Sequence, residues 1–241
     1  MLQYKQSNSM KVFIDNGHGQ FTAGKRSPDG QLREAFFNRE IAGRIVLDLQ
    51  DRGYDAELLV PEDDDISLKE RCRRVNSWCL LHGKQNAILV SIHVNAYGNG
   101  SEWTQPHGWS IYTSKGKTAA DVLATCIFEA AKKYLPDMQM RTDNSDGDPD
   151  FEEALYILRH SLCPAVLSEN GFMTNEQECR WLQTRAAKQA IVDLHVEGIS
   201  LQLRRCRLQG HLRPSCLWKY KCSIRAAASI LSRFRRHSRG C

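Results

Sequence analysis

No stretch of this chain approaches 18 consecutive apolar residues, so nothing in it reads as a membrane-spanning helix. The first ten residues, MLQYKQSNSM, contain no apolar core of the kind a secretory signal requires. They read as a disordered leader, with Met10 as an alternative start. There is no Cys-x-x-Cys pair, and the nine cysteines are scattered and odd in number. A disulfide framework is therefore not expected. Reduced thiols and synthesis in the cytosol are. No internal repeat is present.

Acidic residues are missing from the last part of the chain. Residues 201–241 hold 9 Arg and 2 Lys with no Asp or Glu. The other 200 residues therefore carry a net −6 beneath the whole-chain value of +5. This shift places a boundary near residue 200. Ile224, Ala228, Leu231 and Phe234 share one helical face with arginines around the rest, a pattern that suits contact with an anionic membrane or envelope. An unselected extension accounts for the same composition. Nucleic-acid binding is not expected, because no recognised module accompanies the charge.

The remaining composition, 41% apolar and 25% charged, is that of an ordinary globular protein. At about 200 residues a domain buries about 70% of its unfolded surface and needs no covalent staples. Lys11–Asp15 (KVFID) reads as a strand entering the Gly-rich turn Asn16-Gly17-His18-Gly19. From Glu34 to Arg52, Phe37, Ile41, Ile45 and Leu49 recur every four residues, which predicts an amphipathic helix closed by Gly53. Ala56–Val60 reads as a strand, and Ser67-x-x-Glu70 is a capping box opening a helix with Cys72, Val75 and Cys79 on its apolar side.

Ala87–Val94 (AILVSIHV) is apolar enough for a central strand covered on both faces. Gly108–Thr113 and Ala165–Ser168 read as further strands, Thr118–Tyr134 as a helix, and a last helical stretch runs from a cap at Thr174 or Asn175 to about Leu201. This alternation predicts a single α/β domain over residues 11–200, with a mixed or mostly parallel central sheet flanked by helices.

In such folds functional groups gather where strands end. His18 follows the first strand, His93 ends the central one, Glu169 follows the last, and Glu34 opens the first helix. Two imidazoles and a carboxylate with a fourth position open are a known catalytic zinc arrangement. The spacing H-x15-E-x58-H matches no compact metal motif, however, and Glu34 reads equally as a first-turn acid favoured by the helix dipole. Asp15 either orients His18 or caps the loop. His82, His107, His160 and His195 read as structural or solvated, and Asn95 and Asn170 as loop organisers.

Four ordered words extend this. They are Ile14-Asp15-Asn16-Gly17-His18-Gly19, Glu34-x-x-x-Asn38-x-x-Ile41-Ala42, Ser91-Ile92-His93-x-Asn95-Ala96 and Ser168-Glu169-Asn170-Gly171-Phe172-x-x-Asn175. Together, with Ser67-Leu68-x-x-Arg71 and Ile157-Leu158-Arg159 between them, they resemble the zinc-dependent N-acetylmuramoyl-L-alanine amidases of the amidase-3 type. The resemblance implies His18, Glu34 and His93 as ligands to one zinc ion per chain and Glu169 as the catalytic glutamate. It implies cleavage of the amide between the muramic acid lactyl group and L-alanine in peptidoglycan, as in an endolysin or other wall-lysis enzyme acting after release from the cytoplasm. A non-catalytic peptidoglycan-binding protein on the same fold is the alternative, and it has no need of Glu169. Asn16 stands where the family more often has a turn former, and Met140–Asp150 has no clear version of the family's Arg-Gly stretch.

Overall fold

The computed structural model describes residues 10–208. The expected leader therefore lies outside the described residues except for Met10, which is buried. The membrane-facing reading of the tail, which rests on residues 224–239, lies outside them entirely.

Six strands form one sheet in the order β2-β1-β3-β6-β4-β5. They are β1 (Lys11–Asn16), β2 (Asp55–Leu58), β3 (Ala87–Asn95), β4 (Trp109–Thr113), β5 (Phe151–Glu152) and β6 (Ala165–Phe172). β2, β1, β3 and β6 run parallel, β4 is antiparallel to β6, and β5 is parallel to β4. The sheet is thus mixed, and helices flank it as the sequence predicts.

Because side chains alternate across a strand, each buried strand feeds two cores. Phe13, Leu89 and Leu167 pack with Cys72, Val75 and Cys79 of α2 (Leu68–His82) and with Ile157 and Leu158 of α4 (Tyr156–His160). Val12, Ile14, Val90, Ile92 and Val166 are equally buried and point the other way. That face meets α1 (Glu34–Asp51) and α3 (Ala120–Tyr134). The long helix α6 (Arg185–Leu208) joins it through His195, which hydrogen-bonds Ser168 of β6. Burying both faces is why β3 is apolar almost throughout.

Local signals explain most element ends. Ser67 Oγ accepts from Glu70 N at the start of α2, and Gly53 takes a left-handed φ of 80° after α1. Two boundaries differ from expectation by more than two residues. β6 runs to Phe172, so Glu169 lies within a strand and not after one. The last helical stretch is two helices, α5 (Glu176–Leu182) and α6. Asn175 caps the first by accepting from Glu178 N, and Thr184 Oγ1 accepts from Ala187 N to start the second. Each break follows from a short polar side chain competing for free helix N–H groups.

α6 also passes through the composition change at residue 200, and Leu203 is buried within the compact body, which extends to Arg204. A chain ending after Leu208 keeps the whole of that body. One ending after Leu201 loses the buried Leu203 and is expected to be less stable by about 2–5 kcal/mol, read by denaturant titration. In the middle of α6, a Cβ on Gly198 would stand 2.6 Å from Ile127 Cα and 3.0 Å from Cys126 O, both main-chain atoms of α3. Gly198→Val is expected to force these helices apart and lower stability by about 1–3 kcal/mol. An unchanged melting temperature would refute that contact.

Candidate functional site

The register of the parallel strands brings the sequence-predicted residues to one sheet edge. β1 and β3 pair so that Asn16 lies beside Ile92, and β3 and β6 pair so that His93 lies beside Glu169. His18 follows β1 in the next turn, and Glu34 opens α1 above it. Gly17 lets the main chain pass against the His93 ring, since a Cβ there would lie 2.2 Å from its Cε1 and Nε2. His18 takes a left-handed φ of 65°, which an L-residue holds only when its surroundings enforce it.

That enforcement comes from a buried ion pair. Arg71 Nη1 lies 2.6 Å from Asp15 Oδ1, with both side chains at least 98% buried. The guanidinium also donates to the carbonyls of Asn16 and His18, at 2.9 and 3.2 Å. Asp15 Oδ2 accepts from Ser91 Oγ. Asp15 therefore supports His18 only through Arg71 and the main chain, and neither of the two roles expected of it holds in simple form. Arg71 could have been suspected from sequence: it shares the four-residue spacing of Val75 and Cys79, so a cation falls on the apolar stripe of α2.

The donor atoms of His18, Glu34 and His93 all lie within 4.8 Å of one another. Glu34 Oε1 is 3.5 Å from His18 Nε2 and 3.1 Å from His93 Nδ1, and it also accepts from Val94 N. A tetrahedral zinc site with bonds of about 2.1 Å has edges of about 3.4 Å, which the two Glu34 spacings approach, while the three donors as a set lie within 4.8 Å. Glu34 Oε2 is buried with no hydrogen-bond partner, as a carboxylate meant for a cation would be. Lys25 Nζ stands 3.9 Å from it, a neighbour the sequence did not reveal.

Burial holds the His18 imidazole down to about 4, in its neutral, lone-pair-bearing form. Burial works against the charge of Glu34 and of His93 alike. Their mutual hydrogen bond and the opposite charges around each together outweigh it, keeping Glu34 low and His93 high. Glu169 lacks such a partner: its Oε2 is buried and unbonded. Burial pushes its carboxyl up to about 8, against the attraction of His93 and with the repulsion of Glu34.

Behind the site, a buried hydrogen-bond chain fixes β6. His195 Nδ1 donates to Ile191 O (2.7 Å), leaving Nε2 to accept from Ser168 Oγ (2.8 Å). Asn170 Nδ2 donates to Ser168 Oγ and to His93 O, while its Oδ1 accepts from Trp109 Nε1. The flanking residues 168 and 170 are thereby tied down on the face opposite Glu169. His195 is structural, as expected. His107 and His160 engage nearby carbonyls, and His82 packs on Trp78, all outside the cluster. Asn95 organises its loop, its Oδ1 accepting from Ala96 N and its carbonyl from Met173 N.

A Clostridium difficile 630 N-acetylmuramoyl-L-alanine amidase superposes with a TM-score of 0.70 at 27% identity, covering 82% of this chain and 98% of that one. The N-acetylmuramoyl-L-alanine amidase CwlM of Bacillus licheniformis is 26% identical over 191 residues, 79% of this chain and 68% of its own. An endolysin of Bacillus phage SPP1 is 27% identical over 210 residues, 86% of this chain and 70% of its own. The family profile described as N-acetylmuramoyl-L-alanine amidase (Amidase_3) matches residues 12–201. The fold, the convergent histidines and acids, and a match over residues 12–201 lead to one conclusion: this chain belongs to the Amidase_3 family of N-acetylmuramoyl-L-alanine amidases, zinc-dependent hydrolases of peptidoglycan.

Proposed function

We propose that His18, Glu34 and His93 hold one zinc ion and that Glu169 is the general base that cleaves the amide between the muramic acid lactyl group and L-alanine. The observation that carries this reading is the convergence of those three donor sets within 4.8 Å, with Glu169 on the adjoining strand. What the ion supplies there is Lewis acidity toward the scissile carbonyl and toward water.

The protein groups divide the remaining work. Glu34 Oε1 accepts from Val94 N, so the carboxylate is aimed before any ligand arrives. Asn38 Nδ2 donates to Gly17 O and holds the turn that carries His18. Glu169, half-buried with its Oε2 unpartnered, takes the proton from the attacking water and passes it to the departing amine nitrogen, leaving a lactyl carboxylate and a peptide with a free L-alanine amine. Beside Glu34 opens a cleft of about 460 Å³ lined by Lys25, Arg26 and Arg33 with no carboxylate. Its charge suits the acidic peptide stem of the substrate.

The reading extends to wall lysis. The phage SPP1 endolysin aligns with 86% of this chain. Cys72, Cys79, Cys163 and Cys179 are buried free thiols, which suits synthesis in a reducing compartment.

Purified protein is expected to carry about one zinc per chain, to lose activity on chelation and to regain it with zinc. His18→Ala and His93→Ala should lose both metal and activity; full turnover by metal-free protein would sink the scheme. Mass spectrometry of digested peptidoglycan identifies the bond cut, and muropeptides with an intact lactyl amide would refute its assignment.

Glu169→Gln keeps the shape of the side chain but takes no proton. It is expected to retain zinc and fold while turnover falls by about 10²–10⁴-fold. Glu34→Ala should weaken zinc binding and activity together. Zinc loss in the first with retention in the second would show the two glutamates exchanged.

A further inference from the structure

The far end of the sheet carries a second concentration of buried negative charge that the hydrolysis does not use. β4 is antiparallel to β6, so Thr113 at its end lies away from the His93–Glu169 edge. Between the β-bridge of Met140 with Trp109 and strand β5, residues 142–150 (TDNSDGDPD) leave the sheet in an excursion. This excursion holds four aspartates and no lysine or arginine. Gly147, with a left-handed φ of 107°, turns the chain before Asp148, and Asp150 returns beneath the sheet edge.

Asp150 is 2% exposed. Thr113 Oγ1 donates to its Oδ2 at 2.5 Å, but its Oδ1 is buried with no hydrogen-bond partner. Asp148 Oδ1 is in the same condition, and the Asp148 carboxyl stands within hydrogen-bonding reach of the Asp150 carboxyl. Two carboxylates cannot donate to each other when both are ionised. The charges acting most strongly on Asp150, those of Asp148 and Asp121, are both negative. Asp121 is occupied in accepting from Thr118 N and Oγ1 at the start of α3, so it adds repulsion without supplying a donor. Burial, with these neighbours and against the Thr113 bond, pushes Asp150 up to about 7.

A buried like-charge pair with two orphaned oxygens is stabilised by a proton or by a cation. We propose that Asp148 and Asp150 form a calcium site, completed by water and by main-chain carbonyls of the 142–149 excursion. All the side-chain donors are hard oxygens, which favours calcium over zinc with its preference for nitrogen and sulfur. Magnesium demands a near-ideal octahedron and gives up water reluctantly, whereas calcium accepts an irregular, partly hydrated shell. With only two carboxylates, the expected Kd is about 10⁻⁴–10⁻³ M, the range of extracellular calcium modules. Such a site would brace β4, β5 and the start of α3 once the enzyme meets a calcium-rich medium. It lies apart from the candidate zinc residues and does not depend on their assignment.

The test uses the full chain loaded with zinc, in phosphate-free buffer at pH 8, with calcium or magnesium added at 10 mM. Calcium is expected to raise Tm by about 3–10 °C, and calorimetric titration to give one calcium per chain. Asp148→Asn and Asp150→Asn should each abolish the response. Asp150→Asn should also raise Tm in calcium-free buffer, because it removes one of two repelling charges. If Asp150→Asn fails to fold, the partly exposed Asp148→Asn decides the matter alone. No calcium shift in the unmodified chain, an equal shift with magnesium, or an undiminished calcium shift in the variants would overturn the assignment.

Discussion

β3 lies between β1 and β6, and the register of those two pairings holds the chemistry of this amidase together. Main-chain hydrogen bonds set Asp15 beside Ser91 and His93 beside Glu169. Side chains alternate with a period of two, so a slip of one residue would turn His93 or Glu169 to the opposite face. Several side-chain contacts guard against that slip. Ser91 bonds Asp15 from one face, and Asn170 bonds His93 O and Ser168 from the other. The ladder shifts between His93 and Asn95, which re-aims the chain just past the imidazole.

The site concentrates groups that are costly for a folded protein to bury. Glu34 and Glu169 each keep one buried oxygen without a hydrogen bond, and His18 sits in a left-handed conformation. Left to themselves, such features lower stability. The surroundings over-determine them: the Arg71–Asp15 pair, 98–99% buried, fastens the His18 turn through two carbonyls. A cation would satisfy what the protein leaves open. The site is therefore pre-organised by its own hydrogen bonds and incomplete in charge, a combination that suits a metal held for catalysis.

The same electrostatic reasoning distinguishes the buried histidines. His18 and His195 are both held neutral, near 4, by burial. His195 spends both ring nitrogens on protein partners, Ile191 O and Ser168 Oγ, and is structural. His18 makes no such pair of bonds and faces Glu34 and His93. What separates the structural imidazole from the candidate ligand here is where the second nitrogen goes, and only three dimensions show it.

Local periodicity and short-range caps were enough to read α1, β3, the Ser67 cap of α2 and the α/β class, because each depends on residues within a few positions of one another. The ordered motifs around His18, Glu34, His93 and Glu169 went further and indicated the family. Tertiary structure decided the rest. The split between α5 and α6, the two-residue β5 and the short α4 carry signals too brief for periodicity to register. Lys25 beside Glu34, Arg71 under the His18 turn and the Asp148–Asp150 pair depend on contacts between segments far apart in the chain or on the folding of one loop. The sequence by itself determined which side chains bear charge and lone pairs. Only the folded sheet decided which of them would be driven together out of water, because desolvation and mutual repulsion exist only once the chain has closed around them.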